Sequence, residues 1–216
     1  MQLNLAATNG SIEPIERRVP LIAELIANER IDVLVTQAGD IASIDQLACE
    51  RHLHRDAGLA IIARPPIVDA GVHPLTRRED SSDEDAHKRA LLSVHIGDMT
   101  IIDAHLSWVE AQAVDNITEL LAVADAAGGD VLVVGDFNQE PASPAMRALE
   151  AAGFVDCWAR LRHGEVGFTY EAGKPWGRID YVWERAARRR VTSIALVGDI
   201  GAPLSDHFGL VAEIDG

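Results

Sequence analysis

Ala90-Leu91-Leu92-Ser93-Val94-His95-Ile96-Gly97-Asp98-Met99-Thr100-Ile101-Ile102-Asp103-Ala104-His105 reads as two strands, residues 90–96 and 99–105, joined by a tight turn at Gly97-Asp98. A glycine-containing two-residue connection between β-branched runs is the signature of an antiparallel hairpin. Consecutive antiparallel strands argue against a purely parallel, doubly wound sheet. On either side, short apolar runs alternate with amphipathic stretches, so the fold class is mixed α/β (α+β).

Upstream, residues 2–8 are expected as a first strand ending at Asn9-Gly10. Residues 14–28 form a helix with Ile15, Val19, Ile22, Leu25 and Ile26 on one side, which Pro20 should kink or shorten. A buried strand over 32–36, a short helix over 41–50 and a strand over 58–63 follow. Residues 64–87 read as a long loop, whose acidic run Glu79-Asp80-Ser81-Ser82-Asp83-Glu84-Asp85 is expected to be solvated and mobile. Downstream come a helix over 109–127 ending at Gly128-Gly129, the apolar strand Val131-Leu132-Val133-Val134 and a short helix over 143–152. Strands over 167–170, 178–183, 191–197 and 208–214 complete the pattern. No linker or internal repeat interrupts it, so residues 1–216 are expected to form one domain.

With 48% hydrophobic and 25% charged residues, wholesale disorder, collagen and coiled coil are excluded. No run approaches the roughly 18 apolar residues of a membrane-spanning helix, and the first residues lack a basic, apolar leader. Cys49 and Cys157 are too few for a disulfide framework. The expectation is a cytoplasmic protein with free thiols and no membrane partner. Its net charge of −15 disfavours coating of long polyanions, although a divalent-cation site collects carboxylates in any case.

Polar residues where apolar strands end are the informative ones, because a rigid strand holds the group while the loop beyond leaves room for substrate. They are Asn9, His105, Asp136, Asn138, Asp206 and His207, with Asp180 inside Arg178-Ile179-Asp180-Tyr181-Val182. Together they are the donor set of a divalent-cation phosphoester hydrolase. His52, His54, His73, His87, His95 and His163 show no ligand spacing and are read as surface or core residues. Arg185 and Arg188-Arg189-Arg190 read as an exposed rim. Trp176 either packs its loop or stacks on a base.

In order, Val134-Gly135-Asp136-Phe137-Asn138, Arg178-Ile179-Asp180-Tyr181-Val182 and Ser205-Asp206-His207 resemble three signatures of the endonuclease/exonuclease/phosphatase superfamily. Gly58 to Arg64 resembles the strand before its substrate-side loop, Asp103-Ala104-His105-Leu106 its Thr-His-Leu motif, and Asn9 its first-strand Asn. The resemblance implies a four-layer sandwich of two mainly antiparallel β-sheets packed face to face, with helices outside. It implies that Asp136 orients or deprotonates the attacking water and that Asn138 holds a phosphate oxygen. His207 would stabilise the pentacovalent phosphate with Asp180 fixing its tautomer, and His105 would contact phosphate or assist the leaving group. Asp206 and Asn9 would hold Mg²⁺ or Mn²⁺.

One position departs from the pattern. The second strand of the family ends in Leu-Gln-Glu, the Glu being the principal metal ligand, whereas here Gln37 is followed by Ala38. A methyl cannot coordinate a hard cation. Asp40 offers a nearby carboxylate, but Gly39 suggests a turn before it. An engineered Glu-to-Ala replacement, a natural loss of catalysis and a rearranged metal site all account for Ala38, and the intact remainder favours the first. The implied activity is a divalent-metal-dependent phosphodiesterase or nuclease, impaired by Ala38, acting on nucleic acid, a nucleotide or a small phosphorylated molecule. The alternatives are a non-catalytic phosphate-binding module and a phosphatase of small molecules.

Overall fold

Short runs, most of them apolar, form twelve strands in the computed structural model, which describes residues 1–186, 188–198 and 204–215. They form two six-stranded sheets. The first has the order β11 (Val191–Val197), β12 (Gly209–Ile214), β1 (Gln2–Asn4), β2 (Val33–Gln37), β4 (Leu59–Ala63), β3 (His52–Asp56). The second runs β5 (Asp69–Pro74), β6 (Ala90–Ile96), β7 (Met99–His105), β8 (Asp130–Asp136), β10 (Asp180–Arg185), β9 (Val155–Asp156). Each sheet contains one parallel pair, β1 with β2 and β7 with β8, and is otherwise antiparallel.

The hairpin over 90–105 forms in the expected register, with Ile96 opposite Met99. The inner faces meet in a core of Val35, Ile61, Leu92, Ile101, Val134, Val182 and Leu210. Helices α1 (Ile15–Asn28) and α2 (Ile41–Ala48) pack on the outer face of the first sheet through Val19, Ile22, Leu25 and Ile44. Helices α3 (Glu110–Ala127) and α4 (Pro144–Ala151) cover the second sheet through Ile117, Leu120, Met146 and Leu149, while the short α5 (Cys157–Leu161) adds Cys157 and Trp158 to the interlayer core. The result is the four-layer sandwich.

Several boundaries differ from expectation. The first strand stops at Asn4, because Asn4 Oδ1 turns back to accept the Ala6 N–H at 2.9 Å and Ala6 takes a positive φ of 43°. Asn9 therefore lies beyond the strand. Helix α1 continues through Pro20 without interruption. The segment 64–87 contains the edge strand β5, whose mostly exposed residues carry no apolar alternation. Residues 167–170 contribute only two isolated bridges, from Tyr170 to Gly177 and to His207. The acidic run is anchored where a solvated loop was expected: Asp83 is buried and accepts from Arg89 Nε at 2.8 Å and Ser107 Oγ at 2.6 Å.

In β8 the parallel crossing brings Gly135 so close to β7 that a Cβ there would stand 1.9 Å from the Ala104 carbonyl oxygen. Only glycine permits this approach, which sets Asp136 directly beside His105 in register.

Candidate active site

Strands β1, β2, β7 and β8 all run toward one end of the sandwich, and β10 begins there. The side chains at those strand ends surround a cavity of about 520 Å³ lined by Asn4, Ala38, His105, Asn138, Asp206 and His207, among others. Asp136, almost fully buried, lines it as well. Asn138 N–H donates to Asp136 Oδ1 at 2.8 Å, and Asn4 Nδ2 donates to Oδ2 at 2.8 Å. The same Oδ2 lies 3.6 Å from His105 Nε2 and 3.9 Å from His207 Nε2. The other ring nitrogen of His207, Nδ1, pairs with Asp180 Oδ2 at 2.8 Å. Asp180 is itself fully buried, its backbone N–H held by Thr169 Oγ1 at 3.1 Å.

The electrostatics follow from this packing. Burial, reinforced by the neighbouring Asp180 charge, raises the Asp136 carboxyl above the ordinary carboxylate range. Burial works against the His207 imidazolium, but the charge and hydrogen bond of Asp180, with Asp136 and Asp206 nearby, outweigh it and raise the pKa to about 9. His105 goes the other way, lowered to about 4 by burial, with Arg89 and His207 adding to the effect against the pull of Asp136.

A pH dependence of stability follows. His207 has a folded pKa above its ordinary 6.5, so its contribution is present below 6.5 and is lost as pH rises through about 9. His105 has a depressed pKa, so its contribution is lost as pH falls from 6.5 toward about 4. Thermal melts of the metal-free protein should show Tm falling as pH rises from 6.5 to 9. A Tm that is flat from pH 6.5 to 9 would contradict the His207 assignment.

The structure brings together His105, Asp136, Asn138, Asp180, Asp206, His207 and Ala38. Asn9 lies alongside, donating from Nδ2 to Asp206 Oδ2 at 2.6 Å, while Asn4 is the amide that lines the cavity. Sequence reasoning missed Asn4. The available signal was an amide set between Leu3 and Leu5 in a buried strand, a group that needs a polar partner across the core. Tyr170 and Trp108 were also missed. Tyr170 packs edge-on to Trp176 with ring centroids 5.6 Å apart and lies against His207 at 4.8 Å. Trp108 and Trp176 are more than half exposed on the cavity rim.

Other candidates fall away from the site. Asp40 caps α2, accepting from Ser43 N at 3.0 Å and Ser43 Oγ at 2.6 Å. Arg188 and Arg189 pair with Asp98 in the hairpin turn, at the far end of β7 from His105. Arg185 pairs with Asp125 at 2.7 Å. His54, His73 and His95 bond to Gly71 O, Ser93 and Thr100, as surface and sheet residues do. The His87 side chain is outside the described set.

Among the described residues, one group of three metal-capable side chains converges: Asp136, Asp180 and His207, with one donor atom of each within 4.8 Å of the others. Both Asp180 oxygens already accept hydrogen bonds, from Gln2 and His207, which makes this trio a hydrogen-bonded array first. The carboxylates lining the cavity are Asp136 and Asp206, which accept from the side-chain amides of Asn4 and Asn9. They are hard donors of the type Mg²⁺ or Mn²⁺ takes. They fit such an ion in kind, and position 38 presents a methyl to the same cavity.

The model of the Endonuclease/Exonuclease/phosphatase family matches residues 1–207, a span containing every side chain of this site. The chain belongs to this family. Family members hydrolyse phosphoesters and generally use divalent metal ions. No curated protein matches the chain by sequence. Solved structures do so by fold. A family protein from Bacteroides thetaiotaomicron has a TM-score of 0.84 at 17% identity, covering 99% of this chain and 95% of that one. The mannosyl-6-phosphatase of the same organism gives 0.83 at 16%, covering 100% and 98%. D. rerio TDP2, solved in complex with a single-strand DNA product, gives 0.79 at 18%, covering 100% and 97%. Family membership accounts for the shared layers. One of these neighbours is named a mannosyl-6-phosphatase and another holds a single-strand DNA product, so fold alone leaves the substrate open. Among the described residues, no helix is long and apolar enough to cross a membrane.

Proposed function

We propose that the chain is a divalent-metal-dependent phosphoester hydrolase, most simply a phosphodiesterase, whose cation site is impaired by Ala38. The observation that carries this reading is the array in which Asp136 stands between neutral His105 and a cationic His207 fixed by Asp180. A carboxylate with a raised pKa accepts a proton from water more readily than an ordinary one. An imidazolium beside it supplies positive charge to phosphate oxygens as they gain charge. Asn138, donating from Nδ2 to Leu106 O at 3.0 Å, has a second amide hydrogen left for a phosphate oxygen. Asp206 and Asp136, with Asn4 and Asn9 beside them, would hold the Mg²⁺ or Mn²⁺, which would supply charge neutralisation at the phosphate.

An engineered Glu-to-Ala replacement remains the favoured account of position 38, since every other side chain of the site is in place. A phosphate-binding module without turnover is the competing reading. A panel of phosphodiester and phosphomonoester substrates, assayed on Ala38→Glu with Mg²⁺ and Mn²⁺, separates them. Hydrolysis of any member supports the enzyme, and binding without hydrolysis across the panel supports the module.

Within the enzyme reading, charge and rim geometry favour short substrates. The −15 net charge repels long polyanions, and the arginines at 185, 188 and 189 are engaged with acidic partners away from the cavity. Trp108 and Trp176 offer flat faces at the rim for a base or sugar. The Ala38→Glu variant should cleave mononucleotide-sized or short single-stranded substrates faster than long duplex DNA at low salt. Added salt should raise its rate on long DNA, opposite to the loss expected of a basic protein. Fastest cleavage of long duplex DNA at low salt would contradict this substrate class.

A further inference from the structure

A chain of buried polar side chains runs from the active site across the interlayer core. Asp180 Oδ2 binds His207, while Asp180 Oδ1 accepts from Gln2 Nε2 at 2.7 Å. Gln2 Nε2 also donates to Gln37 Oε1 at 2.9 Å, and Gln37 Nε2 donates to Asp103 Oδ1 at 2.7 Å. Gln2, Gln37, Asp103 and Asp180 are all completely buried. Gln2 and Gln37 come from the first sheet, Asp103 and Asp180 from the second. Placing four polar side chains in a core is costly unless each is bonded, so such an arrangement specifies geometry more than it adds stability.

We infer that Gln2 is a positioning residue, its amide clamped by Gln37 and fixing the Asp180 carboxylate through the oxygen that His207 does not use. A carboxylate bound through one oxygen can still swing about its terminal torsion, a broad well for aspartate. A second bond on the other oxygen locks the plane and with it the direction of the His207 ring. Packing alone does not hold Gln2. It borders a cavity of about 430 Å³ at the opposite end of the sandwich, lined by Val35, Ile101, Val134, Val182 and Leu210. Its Oε1 has no hydrogen-bond partner. The orientation of the amide is therefore set by the two bonds from Nε2. Asp103 anchors the far end: burial raises its pKa well above the ordinary value, against the hydrogen bond from Gln37.

The kinetic arm rests on the proposed phosphoester hydrolysis, and a spectroscopic arm does not. Gln2→Met keeps the shape of the side chain and removes the donor. In the Ala38→Glu protein it should lower kcat by about 10–100-fold with KM unchanged, the range typical for partners that orient a site's ligands. Gln37→Met, which releases the clamp and leaves Gln2 in place, should give a smaller loss of the same kind. Leu34→Val, in the outer core of the same strand pair, should lower Tm and leave kcat unchanged. In the unaltered chain, the ¹⁵N shifts of the His207 ring should move on Gln2→Met and not on Leu34→Val. If the Ala38→Glu protein shows no hydrolysis, the functional reading fails and the ring shifts alone decide the role of Gln2. Unmoved shifts, or a kcat that falls only in step with Tm across all three variants, would overturn the inference. Should Gln2→Met not fold, Gln37→Met gives the same two readouts.

Discussion

Replacing Ala38 with glutamate should convert the chain into a metal-dependent phosphoester hydrolase with a gain well beyond about 10–100-fold, since that is the loss when only an outer partner of a metal ligand is removed. Open space lies beside position 38. Ala38 borders both the active-site cavity and a neighbouring cavity of about 210 Å³ lined by Ala57, Leu59, Arg89, Ala90 and His105. Its φ of 49° already carries the strain of a side chain in the left-handed region, so glutamate adds no new backbone cost. A carboxylate placed beside Asp136 and Asp206 is repelled by both until a cation binds. Ala38→Glu should therefore melt below the unaltered chain in chelator and gain Tm steeply on Mg²⁺ addition, while the unaltered chain responds weakly. Differential scanning calorimetry reads both effects. Identical melting responses to Mg²⁺ in the two proteins would contradict a cation site at this position.

The second large effect concerns Asp180. In the Ala38→Glu protein, Asp180→Asn should cost about 10²–10⁴ in kcat, the worth of a positioned acid–base group, with KM nearly unchanged. Asparagine keeps the shape and loses the charge that raises the His207 pKa to about 9. The imidazole then loses both its cationic form and its fixed tautomer, which harms the transition state more than substrate binding. Steady-state kinetics on a soluble phosphodiester make the measurement. A rise in KM at constant kcat would show that Asp180 acts on binding instead.

How far the sequence revealed this site depends on where each residue sits. The hairpin over 90–105 was legible because both strands are apolar and the turn is a two-residue glycine connection, and it formed with the expected ends. Asp136, Asn138, Asp206 and His207 were legible because each closes or opens an apolar run. Strands β3 and β5 were not, since none of their residues is fully buried and they carry no alternating apolar face. The end of β1 was misplaced because a positive φ at Ala6 has no sequence signature, and this directed attention to Asn9 rather than Asn4. Gln2, Gln37 and Asp103 are polar residues in apolar strands whose meaning appears only when the two sheets face each other. The anchoring of Asp83 by Arg89 and Ser107 was likewise hidden in a segment whose composition reads as solvated.

In the proposed reading, the phosphoester-hydrolysing site lacks one metal donor, at position 38. Titration calorimetry of Mg²⁺ into the unaltered chain and into Ala38→Glu tests it most directly. Tight, single-site binding to Ala38→Glu with weak or undetectable binding to the unaltered chain is the expected result; equal affinity in the two proteins would contradict it.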